Sequence, residues 1–287
     1  MSEFRVMRRR DHGFAAGFVE TDDGAHIYVE QAGRGKPVLF VHGWTMSGRF
    51  WRRQFEGLVN DVQVITMDMR AHGNSSKILH GHTVPRYAKD VRSVIESLDL
   101  HGVTLIGWSL AGPVVLDYWQ NFGSDRLAAL GLAEMTPFPF SPEDWNSHAL
   151  KAYNLDGMNS AFQELQEQRK VFGRRFIDSM FKKGAAPAEE MEWMLKDHLK
   201  TPVSVATAIY SDYLIRDYTM VLETVNKPAI VFSGESNALS FGIKMGEYLC
   251  SRLPKGQFVP FDHSGHMPFY EEPELFNTSL LKFLRRV

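Results

Sequence analysis

Short apolar runs alternate with longer amphipathic segments along most of the chain. The runs are wholly apolar or alternate apolar with polar residues, as β-strands do, and the longer segments have helical spacing. We predict strands near 15–20, 25–32, 37–41, 62–67, 102–107, 128–134, 228–233 and 257–261. We predict helices at 48–59, 86–98, 110–122, 241–253 and 273–285. This alternation predicts an α/β fold, with a mostly parallel eight-stranded sheet covered by helices on both faces.

Two segments depart from this rhythm. The turn Thr21-Asp22-Asp23-Gly24 joins the first two strands, which should therefore pair as an antiparallel hairpin. Residues 137–217 contain no convincing strand and have helical patterns instead, with helix starts expected near Ser141-Pro142 and Pro187-Ala188. We therefore predict a helical cap at 137–217, inserted into a core made of 1–136 and 218–287. A few of its large apolar side chains should line a cleft between cap and sheet.

Composition narrows the class of protein. Of the 287 residues, 44% are hydrophobic and 23% charged, as in ordinary globular proteins, and the net charge of −2 argues against a nucleic-acid partner. No apolar stretch approaches the roughly 20 residues that span a bilayer, and the basic N-terminus has no apolar run behind it. We expect a soluble, cytoplasmic protein that acts on a small molecule without a membrane. The single cysteine, Cys250, allows no intrachain disulfide and should be a core residue.

The most informative segment is Gly107-Trp108-Ser109-Leu110-Ala111, between a predicted strand and a predicted helix. A serine flanked by small residues two positions away on either side is typical of a nucleophile elbow, a turn too tight for larger neighbours. The helix that follows would point its first N–H groups toward the serine hydroxyl. An ordinary strand-to-helix turn that happens to contain a serine is the alternative.

Three further segments join this one. They are His42-Gly43-Trp44, Asp68-Met69-Arg70-Ala71-His72-Gly73-Asn74-Ser75 and Ser264-Gly265-His266-Met267-Pro268. In this order and spacing the motifs resemble the α/β-hydrolase superfamily, from about residue 15 to the C-terminus, with the cap least matched. They look most like the small esterase branch that includes cofactor-free haloperoxidases and the pimeloyl-carrier methyl ester esterases.

The resemblance implies a role for each matched position. Ser109 would be the nucleophile and His266 the base that takes its proton, since a free serine is a poor nucleophile at neutral pH. The backbone N–H groups of Trp44 and Leu110 would form the oxyanion hole. His263 competes with His266 for the role of base, but Gly265-His266 matches the family position.

The other histidines have simpler interpretations. His42 and His72 are expected to hydrogen-bond nearby loops, and His42 should shape the loop under the oxyanion hole. His80 and His82 lie in a polar loop without further metal ligands at useful spacing, and no phosphate-binding glycine pattern occurs. We therefore expect neither a metal nor a cofactor.

The third member of the triad departs from the family pattern. The family usually places an aspartate just past the seventh strand, where this chain has Glu235-Ser236-Asn237. An amide at 237 supplies no charge to stabilise an imidazolium. In a minority of the superfamily, including some haloalkane dehalogenases, the acid ends the sixth strand, where this chain has Glu134. A carboxylate after so apolar a strand needs a partner, and His266 is the natural one. A loop-capping role for Glu134, Glu235 as the acid, and an asparagine-assisted site remain alternatives.

Together these patterns predict a serine hydrolase with the triad Ser109, His266 and Glu134, cleaving a carboxylic ester with an apolar part through an acyl-enzyme. A lactone or thioester substrate and perhydrolysis with apparent haloperoxidase activity are alternatives on the same triad. A third alternative is a ligand-sensing relative with slow turnover. It stays open because Asn237 stands where the family usually has an aspartate.

Overall fold

A computed structural model describes residues 4–9, 13–146, 155–235 and 239–287. The strands are β1 (Phe4–Arg9), β2 (Ala15–Glu20), β3 (His26–Ala32), β4 (Pro37–Val41), β5 (Gln63–Met67), β6 (Val103–Trp108), β7 (Leu127–Ala133), β8 (Ala229–Gly234) and β9 (Gly256–Phe261). The helices are α1 (Arg52–Leu58), α2 (Val84–Ser97), α3 (Ala111–Phe122), α4 (Leu155–Glu167), α5 (Arg169–Met180), α6 (Ala188–Leu199), α7 (Val203–Ile215), α8 (Gly242–Arg252), α9 (Pro268–Glu271) and α10 (Pro273–Leu284).

The described strands form one sheet in the order β1-β2-β3-β5-β4-β6-β7-β8-β9. The first four in this order pair antiparallel, and every pair from β5 to β9 is parallel. The predicted α/β class and the predicted hairpin of β2 and β3 are therefore confirmed. Because the parallel strands run in register, their carboxyl ends meet at one edge of the sheet.

The sheet has one strand more than predicted, because β1 pairs with β2 at the edge. In β1, Phe4 and Val6 are partly buried while Arg5 and Met7 are exposed. An edge strand has a single neighbour and tolerates charged side chains, so its composition resembles that of a basic tail. No strand is predicted at 4–9 from the sequence, and the structure adds β1 there.

Each central strand contributes side chains to two hydrophobic cores, one on each face of the sheet. In β4, Leu39 and Val41 pack with α2 and α3 on one face of the sheet, whereas Val38 and Phe40 pack with α1 and α10 on the other. Both faces are buried, which explains why the strands appear in the sequence as apolar runs rather than as alternating patterns. The sheet thereby becomes a rigid base for the loops at its edge.

Among the described residues between β7 and β8, where the cap is predicted, the structure has the α-helices α4 to α7. Pro187 directly precedes α6, so the second predicted helix start is confirmed. The first predicted helix start, at Ser141-Pro142, is wrong within the described residues. Glu143–Trp145 form a turn there, and the Ser141 hydroxyl accepts the Glu143 N–H at 3.3 Å. No helix in the described ranges is long and apolar enough to cross a membrane.

Candidate active site

The predicted site residues follow four different strands at the same edge of the sheet. Trp44 follows β4, Ser109 follows β6, Glu134 follows β7 and His266 lies in the segment after β9. Neighbouring β4 and β6 mark the point where the chain reverses its direction of travel across the sheet. A crevice opens at such a point in open α/β sheets and is where ligands usually bind.

Ser109 occupies a tight turn between β6 and α3. Its φ of +56° lies in the left-handed region, which turns the half-buried side chain away from the sheet. A Cβ on Gly107 would lie 2.3 Å from the Ala111 carbonyl oxygen, so this position accepts only glycine. Ala111 itself is accommodated, buried at the first turn of α3. The turn thus has the geometry of a nucleophile elbow.

Glu134 and His266 are hydrogen-bonded to each other and almost fully buried. The Glu134 Oε2 atom lies 3.1 Å from His266 Nδ1. The same carboxylate accepts the Gly234 N–H at 2.7 Å through Oε1 and the Phe241 N–H at 2.9 Å through Oε2. A carboxylate that already accepts two backbone N–H groups acts as an acceptor toward Nδ1 as well, so Nδ1 carries the ring proton and the lone pair of Nε2 can accept one.

The His266 ring lies beside the elbow. The Trp108 indole donates to the His266 carbonyl oxygen at 2.8 Å, and the two ring centroids are 5.6 Å apart. Ser109 directly follows Trp108, and its N–H donates to the Ala133 oxygen at 3.0 Å, next to Glu134. The structure therefore brings the three predicted triad residues to one place.

Two of the competing residues, Glu235 and His263, lie at the surface. The Glu235 side chain is 54% exposed and forms an ion pair with Lys182 of the cap. His263 is exposed, and its N–H donates to Glu272 at 3.2 Å. Asn237 lies outside the described residues. Among the described acids, Glu134 is the one that contacts the imidazole of His266.

The two predicted oxyanion donors flank the elbow. Leu110 immediately precedes α3, so its N–H belongs to the positive end of that helix. Gly43, just before Trp44, packs so closely that a Cβ there would lie 3.2 Å from the Ser109 Cβ. The Trp44 indole extends into the cap and donates to the Ala206 oxygen of α7 at 2.8 Å.

His42 and His72 hydrogen-bond loop backbone, the role that the sequence favours for them. His42 bonds the Met69 N–H at 2.9 Å and the Gly43 oxygen at 2.8 Å, and burial lowers its pKa to about 4. His72 bonds the Arg70 oxygen at 2.8 Å, and burial again lowers its pKa.

The polar loop at 80–82 also has structural partners. His82 contacts the Tyr87 hydroxyl and the Ile78 oxygen. Across the described part of the chain, no group of three or more His, Cys, Asp or Glu is arranged to hold a metal ion. Cys250 is a partly buried free thiol, packed against the core as expected.

A cleft of about 440 Å³ opens where the cap meets the core. Phe181, Lys182, Tyr270 and His263 are among its lining residues, so it borders the segment that carries His266. Neither Ser109 nor His266 is among its lining residues, so the predicted cleft that would hold a substrate between cap and sheet stays a prediction.

Several functional contacts were not foreseen from the sequence. No pattern singles out Phe241, whose N–H supports the Glu134 carboxylate, or the cap residues that contact the loop after β4. Glu271 is different, because its carboxylate accepts the Gly265 N–H at 2.7 Å and it lies close to His266 in the sequence.

Comparison with known proteins agrees with this arrangement. A model of the alpha/beta hydrolase fold matches residues 36–273, which include the elbow, Glu134 and His266. The chain belongs to the alpha/beta hydrolase family. The elbow after β6 and the histidine after β9 thus lie within the matched part of this alpha/beta hydrolase.

Named relatives lie in the esterase and haloperoxidase branch. The bifunctional esterase/perhydrolase DCH of Acinetobacter calcoaceticus is 26% identical over 285 residues, covering 94% of this chain and 99% of that protein. The non-heme chloroperoxidase CPO-A1 of Kitasatospora aureofaciens is 24% identical over 276 residues, covering 93% and 98%. The crystal structure of a bromoperoxidase from Bacillus anthracis has a TM-score of 0.86 at 25% identity, covering 94% of this chain and 99% of that one. These likenesses confirm the resemblance to this branch of hydrolases.

Proposed function

We propose that this hydrolase cleaves carboxylic esters of small molecules through an acyl-enzyme on Ser109. The observation that carries the proposal is the buried contact of 3.1 Å between Glu134 Oε2 and His266 Nδ1. An imidazole whose Nδ1 faces a buried carboxylate, beside a serine elbow, is the arrangement that acyl transfer requires. The ligand-sensing alternative with slow turnover would keep the same pair, so the measured turnover distinguishes the two.

The reaction follows from the positions of these groups. The Ser109 Oγ attacks the ester carbonyl carbon while His266 Nε2 takes the hydroxyl proton, and the carbonyl electrons move onto oxygen. The Trp44 and Leu110 N–H groups stabilise this oxyanion. Its collapse expels the alcohol, which receives the proton from His266. Water then attacks the acyl-enzyme in the same way, releasing the carboxylic acid and restoring Ser109.

The aromatic residues of the cap favour a substrate with an apolar part. The Trp44 ring is surrounded by the cap aromatics Phe172, Phe176 and Tyr210, at centroid distances of 4.8–6.1 Å. Since Trp44 supplies a proposed oxyanion donor, these rings lie close to where an acyl or alkoxy group would project. Apolar burial there would favour longer or aryl esters over acetate.

The test is steady-state hydrolysis of p-nitrophenyl acetate and octanoate by the native protein, Ser109→Ala and Glu134→Gln. We expect the serine variant to be inactive and the glutamine variant to lose roughly 10³–10⁴ in turnover, the scale found when a triad acid is neutralised. Glu235→Gln is the matched control, because it removes an exposed carboxylate near the same sheet edge. A Glu134→Gln variant with native turnover, or equal losses in both glutamine variants, would refute the proposed triad.

Perhydrolysis is the second candidate, favoured by relatives named esterase/perhydrolase and non-heme chloroperoxidase. Hydrogen peroxide would replace water in attacking the acyl-enzyme and give a peracid, which oxidises halide in solution. Peroxide-dependent and acetate-dependent bromination that disappears in Ser109→Ala would support it. Bromination that persists in that variant would exclude this route.

A further inference from the structure

We propose that the cap positions the oxyanion hole, because His198 of α6 holds Thr45 in a strained turn that aims the Trp44 N–H at the substrate. The inference rests on the proposed function. The oxyanion loop is the segment 42–48, which follows β4 and ends at Gly48, the first residue of the short 3₁₀ helix Gly48–Trp51. His198 is then a positioning residue, acting through Thr45 rather than on the substrate.

The first step is the backbone of Thr45. Its φ is +59°, in the left-handed region that β-branched residues rarely adopt. Thr45 is the third residue of a turn closed by a hydrogen bond of 3.2 Å from the Met46 N–H to the Gly43 oxygen. Positive φ at this position normally selects glycine or asparagine. Contacts of the Thr45 side chain therefore have to hold this strained conformation in place.

The second step is the identity of those contacts. The Thr45 hydroxyl donates to the Trp44 carbonyl oxygen at 2.7 Å and lies 2.8 Å from His198 Nδ1. A hydroxyl has one proton to donate, so His198 Nδ1 is the donor in the second bond. Burial lowers the pKa of His198 to about 3, which keeps the ring neutral across the working range.

The third step links the turn to the oxyanion donor. The Gly43 carbonyl and the Trp44 N–H belong to one planar peptide group, so fixing the oxygen fixes the direction of the N–H. The Gly43 oxygen is held by His42 Nδ1 at 2.8 Å and by the Met46 N–H of the turn. Relaxation of Thr45 would weaken the turn bond and let this peptide rotate.

The cap holds the loop at two further points. The Trp44 indole donates to the Ala206 oxygen of α7 at 2.8 Å, and the Ser47 hydroxyl donates to Asp197 of α6 at 2.5 Å. The core holds the far end, where the Gly48 N–H donates to Asp68 at 2.7 Å. The middle of the loop therefore takes its catalytic shape only while α6 and α7 are docked.

The experiment compares Thr45→Val, which removes the hydroxyl at nearly constant shape, with Thr45→Ser, which keeps it. We expect Thr45→Val to lose roughly 10–100-fold in kcat with KM nearly unchanged, because a misaimed oxyanion donor acts on the transition state. Thr45→Ser should retain most of the activity. Thr207→Val, which removes a cap hydroxyl bonded only within α7, is the matched control and should be unaffected.

Two further readouts separate positioning from general damage. Inhibition by an alkyl trifluoromethyl ketone, which forms an oxyanion on Ser109, should weaken by the same factor as kcat/KM, whereas inhibition by the corresponding alcohol should not change. Backbone hydrogen exchange in residues 42–48 should speed up in Thr45→Val and in His198→Phe. If Thr45→Val does not fold, His198→Phe tests the same bond and keeps an aromatic ring against Trp44.

The outcomes are distinct. Native kcat and ketone affinity in both Thr45→Val and His198→Phe would overturn this inference while leaving the proposed function intact. An equal loss of ketone and alcohol binding would mean a general structural role and would also overturn it. A native protein that hydrolyses no ester would overturn the proposed function, and this inference with it.

Discussion

At the scale of single residues, Ser109 and Glu134 share an uncommon backbone conformation. Their φ angles are +56° and +43°, each at the first position past a parallel strand. In both cases the sheet ladder continues through the residue, since Ser109 N–H donates to Ala133 and Glu134 N–H donates to Phe232. The neighbouring strands thereby hold two strained residues in place, and the strain turns both side chains toward the edge where His266 lies.

Gly107→Ala should be strongly destabilising. The added Cβ would lie 2.3 Å from the Ala111 carbonyl oxygen, and a backbone atom cannot move aside cheaply. We expect a loss of about 1–3 kcal/mol or more in the free energy of unfolding, together with loss of hydrolysis. Urea denaturation and p-nitrophenyl ester turnover measure the two effects.

Gly102→Ala is the control for this variant. Gly102 lies between α2 and β6 with a φ of +64° and has open space around it, so alanine there meets backbone strain of about 1–2 kcal/mol and no clash. Equal destabilisation by the two substitutions would contradict the clash at the elbow.

At the scale of elements, the segment between β9 and α9 is held from two sides. Glu271 of α9 accepts the Gly265 N–H at 2.7 Å through Oε2 and the Lys182 N–H, from the cap, at 2.9 Å through Oε1. The His266 N–H donates to the Met180 oxygen at the end of α5. The position of the proposed base thus depends on the cap as well as on the sheet.

Glu271→Gln should lower turnover and stability more than Glu272→Gln. Glu271 uses both carboxylate oxygens, and an amide can accept with only one of its two ends. Glu272 uses Oε2 alone, for the Ser264 hydroxyl at 2.6 Å and the His263 N–H, so a glutamine can keep both bonds. We expect about 1–3 kcal/mol lost in Glu271→Gln. Thermal unfolding and kcat, measured for both variants, test this prediction. Equal values in the two variants would show that the two hydrogen bonds of Glu271 do not hold the segment.

The elements differ in how far the sequence predicts them. Strands buried on both faces appear as apolar runs, so β4 to β8 could be recognised directly. The edge strand β1 could not, because Arg5 and Met7 face solvent. The motif at Ser141-Pro142 has the chemistry of a helix start, yet the same serine oxygen equally well closes a turn on Glu143. Local chemistry alone does not choose between these two outcomes.

At the scale of the whole molecule, buried histidines make stability sensitive to acid. Burial lowers the pKa of His42 to about 4 and of His198 to about 3, and also lowers those of His72 and His82. Between these values and about 6.5 the unfolded chain binds more protons than the folded one, so stability falls as the pH drops. Asp68 acts oppositely between 3.8 and about 6, because burial raises its pKa and the folded state keeps that proton.

His72→Asn isolates one of these contributions. An asparagine amide can still donate to the Arg70 oxygen but does not titrate. The dependence of the unfolding free energy on pH should become shallower by up to about 1.4 kcal/mol per pH unit between pH 5 and 6. Above pH 7.5, where the imidazole is neutral in both states, the native and variant curves should run parallel. Urea titrations at closely spaced pH values provide the curves, and parallel curves throughout would refute the assignment.

The three residues of the proposed triad were easier to predict from the sequence than the residues that hold the site in shape. Ser109 and His266 were assigned by resemblance to a known family, and Glu134 could be added because the carboxyl ends of parallel strands converge on one edge. The contact between Thr45 and His198 spans 153 positions and joins a loop to a cap helix. No periodicity or spacing encodes such a contact, because it depends on how the cap packs on the sheet.

The two oxygens of Glu134 also join the ends of the segment that follows β8. Oε1 accepts the Gly234 N–H, and Oε2 contacts both the Phe241 N–H and His266 Nδ1. A single carboxylate therefore links the two ends of the segment. In this chain the proposed acid directly follows β7, yet two of the N–H groups that hold its carboxylate come from the two ends of that segment. A change in the length of the segment would therefore act on the proposed acid through the Gly234 and Phe241 N–H groups.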